Sequence, residues 1–363
     1  LLSRSSDMSS REHYDPKQGK VLVTGGAGFL GINLIRYLLE KGSGPISSLD
    51  IASFDYPEKD RIDVIEGDIR DRMPLERIVP GTRWLIHAAA ALPLYSREDI
   101  HSTEVTGTRN LLEAALKNRV ERFIYISSTA VYGLPDRCPI QESDELIGVG
   151  PYGRTKIEAE ELCKVYRDKG LCVSVLRPKS FVGPERLGVF ELLYCWAAEG
   201  RNFPVVGRGD NRYQLLDVED LCQAIFLCAS LDPEIVNAVF NIGAEEFTTL
   251  REDFQAVLDA AGCGKRVFPF PGGLAVAGLK LLELLHLSPL YDWIYKTAGK
   301  DSVVSIEKAK EMLGYHPTYS NREALLRGYR WYLENRDRVE KAPGISHRRA
   351  WRHGFLDIIK AFF

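Results

Sequence analysis

Residues 20–31 read Lys-Val-Leu-Val-Thr-Gly-Gly-Ala-Gly-Phe-Leu-Gly, a short apolar run that breaks into Gly25, Gly28 and Gly31. An apolar run of this length suits a strand buried on both faces of a parallel sheet. The glycines then have separate tasks: Gly25 permits a sharp turn, Gly28 lets backbone approach a pyrophosphate, and Gly31 lets the next helix pack closely on its strand. Phe29 and Leu30 fall at the start of that helix, whose unpaired N–H groups attract an anion. About twenty residues on, the apolar stretch 46–49 ends in Asp50. A carboxylate there accepts both ribose hydroxyls of an adenosine and repels a 2′-phosphate, and no arginine follows in Ile51-Ala52-Ser53 to welcome one. These residues predict a dinucleotide site that prefers NAD to NADP.

The remainder of the first half alternates strand and helix patterns. Strands are expected at 20–24, 46–50, 62–66, 83–87, 122–127 and 171–177, and helices at 28–41, 103–118 and 152–169. Such alternation with short connections implies an α/β fold with a doubly wound parallel sheet, its ligand lying beyond the carboxyl ends of the strands. Gly25, Asp50, Asp68, Ala88, Ser128 and Pro178 all fall at such ends. After Pro178 the pattern loosens into helices near 190–199, 218–230, 248–262, 272–287, 305–313 and 321–335, with a strand-like run at 213–218. The expected division is a mobile extension at 1–19, a dinucleotide-binding domain at 20–177, a smaller, mostly helical substrate lobe at 178–340 interleaved with late sheet elements, and an amphipathic tail at 341–363.

Tyr152 and Lys156, four residues apart, share one face of a helix. Upstream, strand 122–127 runs into Ser127-Ser128-Thr129-Ala130-Val131-Tyr132-Gly133. With the glycine turn, Asp50, Gly67-Asp68-Ile69, His87-Ala88-Ala89-Ala90 and Arg177-Pro178 in this order, the chain resembles the extended short-chain dehydrogenase/reductase family over residues 20–335, on a Rossmann sheet. The resemblance implies that Tyr152 is the general acid/base, that Lys156 holds the nicotinamide ribose and lowers the phenol pKa, and that Ser128 hydrogen-bonds the reacting oxygen. It also assigns Asp68 and Ile69 to the adenine, Ala88, Ala89 and Ala90 to the wall of the cofactor cleft, and Pro178 to the nicotinamide side. A phenol near pKa ~10 must fall by about three units, roughly 4 kcal/mol, to work near neutrality, and nearby cations in a poorly solvated cleft can supply that. His87, at the end of a buried strand, reads instead as a hydrogen-bonded core histidine.

Dehydratases and decarboxylases of the family carry an acidic residue before Val-Tyr-Gly, where this chain has Thr129-Ala130. Elimination of water then lacks its catalyst, and plain hydride chemistry is expected. Two substrate classes compete. The segment 211–220 resembles the place where nucleotide-sugar epimerases set an arginine, here Arg212, against a diphosphate, a task suited to its planar fork. The alternative is that Arg212 is an exposed loop residue or pairs with Asp210 or Asp217. Thr129 and Ser180 complete the expected substrate contacts. Against a sugar, the family's asparagine after Arg-Pro is Ser180, and its Asn-Val-x-Gly-Thr appears as Glu104-Val105-Thr106-Gly107-Thr108. The leucine-rich stretch 268–290 looks like the lobe of 3β-hydroxysteroid dehydrogenase relatives. The expectation is NAD-dependent epimerisation of a nucleoside diphosphate sugar, with a hydroxysteroid-type dehydrogenase as the alternative and a non-catalytic NAD-binding protein as a third class.

A net charge of -3 gives no reason to expect nucleic acid as a partner. The seven cysteines form no Cys-x-x-Cys pair, so no metal site is expected, and reduced thiols in a cytoplasm are the better reading. No secretory signal or membrane span is read in the sequence. Trp351, Phe355, Ile358, Ile359 and Phe362 share one face of the tail near Arg348, Arg349, Arg352 and Lys360, a pattern compatible with weak contact to an anionic membrane surface or with docking on a homodimer partner.

Overall fold

A computed structural model describes residues 19–93, 95–133, 137–148, 150–271 and 299–340. The expected N-terminal extension up to residue 18, the leucine-rich helix at 272–287 and the C-terminal tail lie outside the described residues.

The core is a seven-stranded parallel sheet of β1 (Lys20–Thr24), β2 (Ile46–Asp50), β3 (Asp63–Glu66), β4 (Thr82–His87), β5 (Arg122–Ile126), β6 (Val173–Pro178) and β10 (Val239–Ile242), in the order β10-β6-β5-β4-β1-β2-β3. Alternate side chains of each strand enter opposite layers. Val21, Val23, Ile124 and Ile126 pack with α1 (Phe29–Glu40) and α7 (Val218–Ser230), whereas Leu22, Phe123 and Tyr125 pack with α2 (Arg72–Ile78), α4 (Thr108–Lys117) and α5 (Gly150–Asp168). Burial on both faces explains why the strands read as continuous apolar runs.

Two elements of this domain escaped the sequence pattern. Helix α2 is short and carries Pro74 in its first turn, and β10 is a four-residue strand that pairs with β6 at the end of the sheet order. The helix expected at 103–118 begins earlier, as α3 (Arg97–His101), and reaches α4 through a π-helical turn over Ser102–Gly107.

The second lobe has its own core, in which α6 (Val189–Ala198), α9 (Leu250–Ala261) and α11 (Asn321–Glu340) enclose Leu193, Trp196, Val257, Leu325 and Tyr329. Strands β8 (Phe203–Val206) and β11 (Val267–Phe270) pair in parallel beside them. The expected strand at 213–218 contracts to β9 (Leu216–Asp217), paired with β7 (Phe181–Val182), because Asp217 already caps α7 by accepting the Glu219 N–H. Helix α8 (Pro233–Val236) precedes β10, and α10 (Glu307–Leu313) packs against it.

Candidate active site

The strand order reverses between β1 and β4, the switch point where doubly wound sheets bind ligands. At the end of β1, Gly25 has φ +73°, and a Cβ there would lie 2.6 Å from the Ala89 nitrogen. A Cβ on Gly31 would strike the Gly25 carbonyl oxygen, so α1 presses on the turn as the sequence pattern requires. Asp50 ends β2 beside this turn, its Oδ2 accepting the Ala27 N–H at 2.9 Å and its Oδ1 the Ala52 N–H at 2.9 Å. A carboxylate locked against a glycine turn fits the ribose end of a dinucleotide. The Ala88 and Ala89 N–H groups turn back to the Thr24 carbonyl and hydroxyl, and Ala90 follows them out of the sheet.

Several expected cofactor residues also do structural work. Phe29 is buried and stacks on Phe181 with ring centroids 5.4 Å apart, and Leu30 is buried in the same cluster. Ile69 lies beneath Gly107 of the π-helical turn, while Asp68 pairs with Arg70 at 2.6 Å. His87 bridges the Thr24 and Thr108 hydroxyls at 2.9 and 3.0 Å, and burial, aided by the Lys156 charge, pushes its pKa down to about 3. It is a neutral core histidine.

The catalytic candidates meet at the carboxyl end of β5. Ser128 caps a short 3₁₀ turn, Thr129–Tyr132, its Oγ accepting the Ala130 N–H at 3.1 Å. That leaves the hydroxyl proton available to another acceptor. Gly153 sits against this turn, where a Cβ would lie 2.7 Å from the Ala130 carbonyl oxygen, so the glycine beside Tyr152 lets the first turn of α5 close on the Ser128 segment. One turn further along α5, the Lys156 ammonium lies 5.7 Å from the Tyr152 ring centroid and 4.9 Å from that of Tyr125, and donates to the Ile126 carbonyl at 3.0 Å.

Two buried carboxylates complete the site. Glu104, on the π-helical turn, is 2.8 Å from the Lys156 ammonium, and its other oxygen accepts the Ala91 N–H at 2.9 Å. Burial is the largest single influence and disfavours the Lys156 charge, but Glu104, Tyr152 and Glu160 together hold the lysine pKa above its usual value. One turn below Lys156, Glu160 takes a fork of two hydrogen bonds from Arg177 of β6 and one from Ser127. Arg177 also donates to the Tyr132 hydroxyl, which donates to Asn241 of β10. Burial is the largest single influence and disfavours the Arg177 charge, but Glu160 and Tyr132 together raise its pKa. This network ties β5, α5, β6, β10 and the 3₁₀ turn together.

The expected substrate residues gather on the lobe side. Pro178 ends β6 opposite Ile242, and Lys179 follows, its ammonium 2.6 Å from the Ser302 hydroxyl and 4.9 Å from the Tyr213 ring centroid. Burial pushes the Lys179 pKa down to about 7. Ser180 and Tyr213 hydroxyls lie 3.2 Å apart. Arg212 pairs with neither of its expected acids. A parallel bridge between Tyr213 and Ser302 brings Asp301 beside it, and the guanidinium binds Asp301 at 2.8 and 3.0 Å. Asp210 is held instead by Arg208 and Arg251, and Asp217 by Arg327. Thr129, in the 3₁₀ turn, stays on the Ser128 side.

Among the described residues, no group of three or more His, Cys, Asp or Glu is placed to hold a metal ion, and no helix is long and apolar enough to cross a membrane.

A glycine turn at the switch point, an acid on β2 and a Tyr-x-x-x-Lys helix beside a serine turn define an NAD-dependent enzyme of the extended short-chain dehydrogenase/reductase class. Residues 21–243 match the model of the NAD dependent epimerase/dehydratase family, and the chain belongs to that family. It is 33% identical over 342 residues to the uncharacterized protein y4nG of Sinorhizobium fredii, covering 93% of this chain and 85% of that one. It is also similar to a 3 beta-hydroxysteroid dehydrogenase/Delta 5-->4-isomerase of Mycobacterium tuberculosis, at 29% identity with 94% of this chain and 98% of that protein covered. The crystal structure of a UDP-glucose 4-epimerase with UDP-glucose from Thermotoga maritima superposes with a TM-score of 0.73 at 25% identity, covering 87% of this chain and 99% of that one.

Proposed function

We propose that the chain epimerises a nucleoside diphosphate sugar by hydride transfer through a keto intermediate. The observation that carries this reading is the closure of the Ser128 turn on the Tyr152–Lys156 face of α5, with no acid at positions 129 and 130 to drive elimination. Gly25, Gly31 and Asp50 would hold NAD, which when bound supplies a hydride acceptor able to return the hydride. The Tyr152 phenolate takes the proton of the sugar hydroxyl as hydride leaves its carbon, and the phenol so formed gives that proton back to the carbonyl oxygen when hydride returns to the opposite face of the keto intermediate. Lys156 stabilises the phenolate, and the Ser128 hydroxyl donates to the reacting oxygen. Arg212 would exchange Asp301 for the diphosphate. The pair's exposure makes that exchange inexpensive, since surface ion pairs contribute about 0–1 kcal/mol.

Two observations favour a second reading, NAD-dependent oxidation of an apolar secondary alcohol such as a hydroxysteroid. Arg212 already has a carboxylate partner, and Ser180, tied to Tyr213, stands where sugar-nucleotide enzymes of the family carry asparagine. Calorimetric titration of UDP into NAD-loaded wild type and Arg212→Ala separates the two. The epimerase reading expects the variant to lose roughly 1.5–3 kcal/mol of binding, the range for a hydrogen bond to a charged group. No UDP binding by wild type, with stoichiometric NADH from a 3-hydroxysteroid, would establish the second.

A further inference from the structure

Glu104 has no role in the chemistry above, yet it is the carboxylate nearest the proposed catalytic lysine among the described residues, with its side chain fully buried. A buried ion pair is a costly way to fix a lysine, because both charges must leave water. The carboxylate meets the Ala91 N–H with one oxygen and the ammonium with the other, whereas an amide in its place would turn a donor NH2 toward one of the two. Glu104 also lies in a π-helical turn, an irregularity that often marks a functional site, and Gly107 in that turn allows it to sit directly on Ile69 of the cofactor cleft. Fold and cleft together hold a negative charge behind Lys156.

Resting on the acid/base assignment of Tyr152, we propose that Glu104 is a positioning residue that cancels part of the Lys156 charge and thereby keeps Tyr152 protonated to higher pH than Lys156 alone would allow. The other groups around Lys156 do not substitute for it. Glu160, on the same helix, is committed to Arg177 and Ser127; His87 on β4 is neutral; Tyr125 on β5 and Cys163 on α5 are buried, and burial raises the pKa of both. Tyr152 thus faces an ammonium whose counter-ion is 2.8 Å behind it. A unit charge roughly 6 Å away at an effective dielectric of about 20 moves a pKa by about two units, so partial cancellation is worth about one. A Tyr152 with a raised pKa is protonated in a larger fraction of molecules near neutral pH, and its phenolate, once formed, is the stronger base toward the sugar hydroxyl.

The test is the ultraviolet titration of Tyr152 in the NAD-loaded protein, read as the difference between each background and the same background carrying Tyr152→Phe, and needing no substrate. Glu104→Gln keeps the shape and removes the charge, and its Tyr152 step should fall by about one pH unit or more relative to wild type. Glu104→Asn provides the same readout if the glutamine variant folds poorly, and Glu104→Asp, which restores the charge, should return the step toward the wild-type position. An unchanged midpoint in the neutral variants would overturn the role of Glu104 while leaving Tyr152 as the titrating group. A Tyr152 step missing from every background would overturn the acid/base assignment itself, and this proposal with it.

Discussion

Two ion pairs of equal length sit in opposite surroundings. Lys156 and Glu104 meet at 2.8 Å with side chains 1% and 0% exposed, whereas Arg212 and Asp301 meet at 2.8 Å with 55% and 37% exposed. The first is fixed by a sheet, a helix and a π-helical turn, and neither partner can leave without stranding a charge. The second is solvated on both sides, so either partner can be traded for water or a ligand anion. The difference separates charges held in place beside the Tyr-x-x-x-Lys helix before anything binds from a surface pair at the edge of the lobe that is exchangeable. The Arg177–Glu160 fork, 5% and 6% exposed, belongs with the first pair.

Removing one partner of a buried pair should therefore have the largest effect on stability. Arg177→Ala leaves Glu160 buried without its guanidinium and should cost about 3–5 kcal/mol in denaturant unfolding. A loss below about 1 kcal/mol would mean that water reaches Glu160 and that the buried half is not rigid. Asp50→Ala comes next, because it removes a carboxylate held by two backbone N–H groups beside the glycine turn. NAD affinity should weaken by roughly 1.5–3 kcal/mol, and the preference over NADP should narrow, in calorimetric titrations of both cofactors. Equal loss for both would remove Asp50 from the ribose site. The smallest effect is expected for Asp301→Ala, which should change stability by less than about 1 kcal/mol while tightening UDP binding through a freed Arg212. If it destabilised the protein as much as Arg177→Ala, the contrast between buried and exposed pairs would collapse.

The same contrast governs what could be read from the sequence. Gly25, Gly31, Asp50, Ser128, Tyr152 and Lys156 were legible because each does its work within a turn or two of its neighbours: a positive φ, a close helix approach, a cap, one helical face. Their mutual placement then follows from the parallel sheet, which delivers every strand end to one edge. Glu104 was visible only as a departure from the family's asparagine, since its meeting with Lys156 depends on a π-helical turn that no periodicity announces. Arg212 was expected to face a diphosphate or else to be an exposed loop residue or pair with Asp210 or Asp217, acids chosen for nearness in sequence. The Tyr213–Ser302 bridge, joining distant segments, supplies Asp301 instead. Strand β10 was missed because Val239-Phe240-Asn241-Ile242 is short and becomes a strand only through its pairing with β6, where Asn241 finds Tyr132.

The most direct measurement is turnover and NAD affinity of Tyr152→Phe, assayed as interconversion of UDP-hexose epimers by the NAD-loaded protein. The substitution keeps the ring that packs near Lys156 and removes the proton that the chemistry needs. Turnover should fall by about 10²–10⁴-fold, the usual contribution of general acid/base catalysis, with NAD affinity unchanged. A variant that keeps more than about a hundredth of wild-type turnover would contradict the assignment of Tyr152 as the acid/base.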